Sequence, residues 1–280
     1  MPELPEVETV RRGLVPHLIG RCIIRVDVQR LDLRAPLPRN LAWRLTGRKI
    51  ERLERRGKYL LFHLDDDSVL LLHLGMSGRL IIARAPVAEP GRHDHFRFET
   101  DDGTVVTFSD PRRFGLLDLV PWATLPTDSR LASLGPEPLS NAFCAPDLRR
   151  RLCQRRAAIK TLLLDQRLVA GLGNIYVSES LYRAGIAPER PGNSLTEADS
   201  ERLVVAIRTV LEEAIAAGGS SLRDYVQVNG ELGYFQHRFA VYDRAGLACP
   251  DCDCDPVATG GIRRLIQANR STYYCPRRQG

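Results

Sequence analysis

The hydrophobic period of this chain changes near residue 134, and that change restricts the folds open to it. Before that point apolar residues recur at every second position. Ile24, Val26 and Val28 alternate with Arg25, Asp27 and Gln29, and strand-like runs follow at 58–64, 68–74, 95–99 and 104–108. Turn formers such as Asp65-Asp66-Asp67 and Asp102-Gly103 separate them. Many short strands in series predict a sandwich or barrel. The stretch Leu134-Gly-Pro-Glu-Pro-Leu139 is a linker by composition. Beyond it the period becomes helical, with helices predicted at 147–156, 160–164 and 174–182. Ser194-Leu-Thr-Glu197 reads as a capping box opening a long helix, whose Leu203, Ile207, Leu211 and Ile215 repeat every fourth residue until Gly218-Gly219. The fold class is therefore α+β. With 280 residues the chain exceeds what one core usually serves, so at least two domains are expected.

A helix also precedes the strands. Val7, Val10, Leu14 and Leu18 form an apolar face, Arg11 and Arg12 a basic one, and Gly20 ends it. Loss of Met1, expected before the small residue Pro2, would leave a secondary amine beside Glu3 and Glu6. A helix start disfavours added positive charge and so favours the neutral, nucleophilic amine. A proline amine attacking a sugar or carbonyl carbon gives a cationic iminium, an electron sink. The ordinary reading stands beside this one: Pro2 and Pro5 pre-set the backbone for helix entry.

Net charge +6 and a pI near 9.1 suit an acidic partner, nucleic acid first, and equally a basic enzyme. No apolar run reaches membrane-spanning length, and the N-terminus is acidic without an apolar signal core, so a cytosolic protein is expected. Segment 147–156 carries Arg149, Arg150, Arg151, Arg155 and Arg156 with no acidic residue after Asp147, a candidate polyanion contact. Gly171 and Gly173 form a turn before Asn174, either a phosphate-binding helix start or a plain N-cap. The irregular stretch 218–235 reads as a functional loop.

Of seven cysteines, Cys22, Cys144 and Cys153 are isolated, whereas Cys249, Cys252, Cys254 and Cys275 crowd the C-terminus. The order is a short strand at 239–242, the knuckle Cys249-Pro-Asp-Cys252, an apolar alternation at 262–267, the turn Ala268-Asn269, then 271–274 leading to Cys275. That is a zinc-ribbon layout with Arg278 where a fourth cysteine is expected. Two readings stand. One zinc ion is held by Cys249, Cys252, Cys275 and Cys254; or the finger binds no metal, or binds zinc weakly with water as fourth ligand, and stands on its hairpin and the packing of Tyr273 and Tyr274. Arg270 is at the hairpin tip in both.

Residues 1–9, Arg56-Gly-Lys-Tyr59, His73-Leu-Gly-Met-Ser-Gly78, His93-Asp-His95, Asp110-Pro-Arg-Arg-Phe-Gly115, 134–139, Ala158-Ile-Lys160, 171–178 and 270–275 together resemble the bacterial formamidopyrimidine-DNA glycosylases over essentially the whole chain. The finger departs from the family, which usually has four cysteines. The resemblance implies three parts: a catalytic β-sandwich with a leading helix (1–130), a helix-two-turn-helix DNA-binding domain with a lesion-covering loop (131–235), and a zinc-ribbon-like β-hairpin finger (236–280). It implies excision of oxidised purines from double-stranded DNA, followed by β- and δ-elimination at the abasic site. Pro2 would be the nucleophile and Glu3 the acid, with Lys58 and Arg270 at the phosphate leaving groups. Met76, Arg112 and Phe114 would fill the gap left by the flipped nucleotide. Glu6 matches an active-site carboxylate, and His73, His93, Arg156, Lys160 and Asn174 match DNA-contacting motifs. A monomer acting on the nucleoid in the cytoplasm, with no membrane partner, completes the expectation. A non-catalytic binder of damaged or abasic DNA is the alternative, and a preference for oxidised pyrimidines, as in endonuclease VIII, a weaker one.

Overall fold

A computed structural model describes residues 1–221, 227–252 and 255–279. The chain divides into two compact units, Met1–Ala132 with Ile215–Gln236, and Ser133–Ala214 with His237–Gly280.

The first unit opens with helix α1 (Leu4–Leu18). Glu3 is its N-cap, and the Glu3 amide donates to the Glu6 carboxylate at 2.8 Å, half of a capping box. Val7, Val10, Leu14 and Leu18 are buried, the face predicted from their spacing. Strands β1 (Ile23–Val28), β2 (Ile50–Arg56), β3 (Tyr59–Leu64), β4 (Ser68–His73), β5 (Arg79–Arg84), β6 (Asp94–Thr100), β7 (Thr104–Ser109) and β8 (Leu116–Pro121) follow, with the one-turn helix α2 (Leu41–Leu45) between β1 and β2 and α3 (Ser129–Ala132) after β8. They form two antiparallel four-stranded sheets, ordered β1-β6-β7-β5 and β2-β3-β4-β8. Phe62 and Leu72 from one sheet, Phe96, Phe98 and Phe108 from the other, and the apolar face of α1 share one core, making a β-sandwich with a leading helix. Each such buried side chain contributes about 2 kcal/mol of apolar burial.

Three strands exceed the sequence expectation. β2, β5 and β8 carry charged residues, and β2 has a register shift between Ile50 and Arg52, so none of the three shows clean alternation over its length. Lys58, read as the start of a strand, lies in the turn before β3, where Gly57 takes φ +56°. The stretch 218–235 belongs to this unit at both of its described ends: the Ser220 amide donates to Glu6 at 2.8 Å, the Ile82 amide donates to the Val228 carbonyl at 2.9 Å, and Val228 enters the core. Residues 222–226 of that predicted loop lie outside the described residues.

The second unit contains α4 (Ala145–Leu152), α5 (Ile159–Leu164), α6 (Asn174–Ala184), all but the last two residues of α7 (Glu197–Ala216), the one-turn helix α8 (Pro256–Thr259), and a hairpin of β9 (Arg263–Gln267) and β10 (Arg270–Tyr274). Leu203, Ile207 and Leu211 of α7 are buried as their spacing predicts. The expected capping box is displaced by two residues. Ser194 sits in a 3-10 turn, and the reciprocal bonds join Thr196 and Asp199: the Asp199 amide donates to Thr196 Oγ1 and the Thr196 amide to Asp199 Oδ2.

The strand expected at 239–242 is absent. The amides of Ala240, Val241 and Tyr242 instead donate to the buried Glu179 carboxylate on α6 at 2.9, 3.0 and 2.8 Å. A carboxylate that satisfies three consecutive donors replaces the ladder a strand would need. The hairpin turn is Ala268-Asn269, both at positive φ (46° and 59°), the backbone of a two-residue type I′ turn. Among the described residues, no helix is long and apolar enough to cross a membrane.

Candidate active site

In the first unit, the start of α1 places Pro2 and Glu3 at the edge of the core, both buried. Glu6 accepts the Glu3 amide on one oxygen and the Ser220 amide on the other, so this carboxylate fixes both the N-terminal turn and the base of the loop. Two residues further on, Glu8 gathers Arg11, Arg12 and Arg55. Burial raises its pKa, but hydrogen bonds from Arg11 and Arg12 and the charge of Arg55 outweigh that and bring it to about 2. Arg55 also donates to the Gly57 carbonyl at 2.9 Å. The turn that carries buried Lys58 is therefore tethered to α1 by the series Glu8–Arg55–Gly57. Neither Glu8 nor Arg55 was singled out from sequence; the only signal was a carboxylate one turn after Pro5 and an arginine three residues before Lys58.

His73 packs its ring 4.8 Å from that of Tyr59, and its Nδ1 accepts the Gly75 amide at 2.9 Å. Burial, then the charges of Lys58 and Arg34, lower its pKa to about 4. His73 is thus a neutral Nε2–H tautomer at physiological pH, a donor rather than a cation. His93 is exposed, whereas His95 is buried with its Nε2 2.8 Å from the Asp110 carbonyl.

Met76, Arg112 and Phe114 come from two loops, the first between β4 and β5 and the second between β7 and β8. Met76 is 36% and Phe114 45% exposed, high for large apolar side chains, and the Arg112 guanidinium lies 4.9 Å from the Phe114 ring centre.

In the second unit the predicted DNA-contact residues divide. Arg156 is exposed. Lys160 is fully buried, and its ammonium donates to the Ser271 carbonyl at 2.9 Å and to Thr272 Oγ1 at 2.6 Å. Asn174 is the first residue of α6 and not its cap; Gly173 is the cap, and Asn174 Nδ2 also donates to Ser271 at 2.9 Å. Lys160 and Asn174 therefore grip the residue that follows Arg270, which is itself exposed beside the hairpin turn. The arginines of α4 are partly neutralised: Arg150 and Arg151 pair with Asp147, and Arg149 with Glu197.

The profile of the formamidopyrimidine-DNA glycosylase N-terminal domain matches residues 1–117, and that of the formamidopyrimidine-DNA glycosylase H2TH domain matches residues 134–226. The formamidopyrimidine-DNA glycosylase of Rhodospirillum rubrum is 61% identical over 280 residues, all of both chains. This chain belongs to the formamidopyrimidine-DNA glycosylase family. The fold agrees. The crystal structure of the Thermus thermophilus family member superposes with a TM-score of 0.86 at 44% identity, covering 99% of this chain and 98% of that one. The Lactococcus lactis glycosylase in complex with DNA containing an abasic site gives 0.88 at 37% identity, covering 99% of each chain. A variant of that protein crystallised with DNA containing Fapy-dG gives the same values.

The finger is where the sequence leaves two readings open. Cys249, Cys252 and Cys275 bring their sulfurs within 4.8 Å of one another, the one group of three or more metal-ligand side chains among the described residues. Cys252 and Cys275 sulfurs are 3.6 Å apart, against about 3.8 Å for two thiolates at ~2.3 Å from a tetrahedral zinc. The thiols fit a zinc ion. Cys254 lies outside the described residues. Arg278 does not enter the cluster. Its guanidinium lies 4.9 Å from the Tyr182 ring centre and donates to the Tyr182 carbonyl, while the Tyr182 hydroxyl is 3.0 Å from Cys249 Sγ. Burial pushes the Cys275 thiol up.

Proposed function

We infer that this chain is a bifunctional DNA glycosylase and abasic-site lyase that removes oxidised purines from double-stranded DNA. The observation that carries the reading is the start of α1, where Glu3, next to Pro2, is held by Glu6, and where Glu8 of the same helix is tethered through Arg55 to the turn of Lys58. A pure DNA binder has no use for a secondary amine beside a carboxyl group.

After removal of Met1, the Pro2 nitrogen attacks C1′ of the damaged nucleotide. Glu3 protonates the deoxyribose ring oxygen as the ring opens; the Pro2 nitrogen sheds its proton, its lone pair forms the iminium as the C1′–N bond to the base breaks, and the departing base nitrogen takes up a proton. The resulting iminium acidifies the C2′ proton. Its loss expels the 3′ phosphate (β-elimination), and a second elimination expels the 5′ phosphate. Lys58 supplies a cation and proton donor near the leaving groups. Arg270, whose guanidinium stays protonated, stabilises phosphate charge and does not act as an acid. Met76, Arg112 and Phe114 occupy the gap that the extruded nucleotide leaves. His73, as a neutral donor, and His93, Arg156 and Asn174 serve DNA contacts; Lys160 serves them indirectly by holding β10. The three parts 1–130, 131–235 and 236–280 act as catalytic sandwich, DNA-binding helices with the lesion loop, and finger. A monomer working on the nucleoid in the cytoplasm suits this role.

Zinc is proposed as a structural ion held by Cys249, Cys252 and Cys275, with Cys254 as fourth ligand; it would cross-link the finger and supplies no step of the reaction. Elemental analysis should find one zinc per chain, reduced in Cys254→Ser; a metal-free purified protein would eliminate the site.

The function itself is tested by incubating the protein with duplex containing 8-oxoguanine opposite cytosine and adding borohydride. A covalent protein–DNA adduct is expected, absent in Pro2→Gly. Intact binding without an adduct in the wild type refutes the enzyme reading and favours the non-catalytic one.

A further inference from the structure

Asp110 is fully buried, and its carboxylate lies between the two loops that carry Met76, Arg112 and Phe114. Oδ1 accepts the Ser77 hydroxyl at 2.5 Å and Oδ2 accepts the Gly115 amide at 2.7 Å. Ser77 Oγ in turn accepts the Arg112 amide at 3.1 Å. One side chain therefore fixes the neighbours of all three exposed residues: Ser77 follows Met76, Arg112 is bonded through Ser77, and Gly115 follows Phe114. The backbone of Asp110 is tied as well, its amide to the His93 carbonyl at 2.9 Å and its carbonyl to His95 Nε2 at 2.8 Å. The loops also touch directly. A Cβ on Gly75, which takes φ +65°, would come within 2.4 Å of the Phe114 carbonyl carbon. Arg113 at φ +57° completes the sharp bend that turns Arg112 and Phe114 outward together.

We propose that Asp110 is a positioning residue that locks these two loops into one rigid mount, so that Met76, Arg112 and Phe114 meet DNA as a preassembled wedge. This rests on the glycosylase reading above. Opening a base stack costs a few kcal/mol, and a wedge that must first order its own loops adds that ordering cost to insertion. Asp110 touches neither the Pro2 end of α1 nor Lys58 in any bond described, so its effect falls on insertion and not on the covalent chemistry.

Asp110→Asn keeps the shape and removes one acceptor. With its amide –NH2 toward Gly115 the bond to that N–H is lost; with the –NH2 toward Ser77 the bond reverses, Ser77 Oγ must accept from both it and the Arg112 amide, and the hydroxyl proton loses its buried carboxylate acceptor. Single-turnover excision of 8-oxoguanine from duplex should fall by about tenfold or more. Borohydride trapping on a single-stranded oligonucleotide with an abasic site, which has no gap to fill, should stay at the wild-type rate. Ser77→Ala should show the same pattern with a smaller loss. In a Met76→Ala/Arg112→Ala/Phe114→Ala background, Asp110→Asn should add little further loss, because the wedge it holds is gone.

The proposal is overturned by equal losses on duplex and single strand, by an unchanged duplex rate, or by a full additional loss in the wedge-deleted background. Failure of the wild type to form any adduct would instead refute the glycosylase reading, so the two failures are distinguishable.

Discussion

Glu8 holds three arginines with one carboxylate, and two of the four partners, Glu8 and Arg55, are nearly inaccessible to water. Removing one member of a buried ion pair leaves the other charged and unsolvated, which costs more than the pair itself contributes. Glu8→Gln should therefore destabilise the protein by about 3 kcal/mol at pH 7, read from urea unfolding. The sign with pH follows from the depressed pKa. The carboxylate's contribution is complete above 4.5, its ordinary value, and is lost as pH falls toward about 2, where folded Glu8 takes up its proton. The gap between wild type and Glu8→Gln should narrow between pH 7 and pH 3. A gap that stays constant over that range would show that packing, not charge, is what Glu8 supplies. Because Arg55 also anchors the Gly57 carbonyl, the same variant should slow strand cleavage by Lys58-assisted elimination more than it weakens DNA binding.

At the scale of elements, legibility followed the strength of local pattern. β3, β4, β6 and β7 alternate cleanly or are apolar throughout and were readable within a residue or two; β2, with Glu51, Arg52, Glu54 and Arg55 in seven residues, was not, because its stability comes from pairing with β3. The segment from Phe239 to Tyr242 shows the opposite error. Its aromatic alternation imitates a strand, but its amides are claimed by Glu179, sixty residues earlier in the chain, and no local pattern announces a buried carboxylate on a distant helix. The site behaved likewise. Pro2, Glu3 and Lys58 are proposed from their motifs, whereas the partners of Asp110 and Lys160 are brought together only by folding.

Lys160 gives the hairpin a testable anchor of this kind. Lys160→Met preserves most of the volume and removes two charge-assisted bonds to β10. Hydrogen exchange of the β9 and β10 amides should accelerate by about tenfold or more, and excision should fall as Arg270 loses its fixed base, with zinc content unchanged. Unchanged exchange would mean that Asn174 and the thiol cluster order the hairpin without Lys160.

For the whole molecule, a formal charge of +6 overstates the positive surface in some places and understates it in others. Arg150 and Arg151 are spent on Asp147, and Arg11, Arg12 and Arg55 on Glu8, so these cations release few counterions when a phosphate approaches. Arg156, exposed just after α4, has no ion-pair partner among the described bonds. DNA affinity should fall linearly on a log–log plot against salt, with a slope near −0.9 for each phosphate neutralised. Arg156→Gln should reduce the magnitude of that slope by about one, and by the same amount for lesion-containing and undamaged duplex, because a phosphate contact carries no base information. Arg150→Gln, on the same side of the linker and with the same formal loss of charge, should leave the slope nearly unchanged. Equal slopes for the two variants would show that net charge, and not the pairing pattern within the second unit, governs how this glycosylase holds DNA.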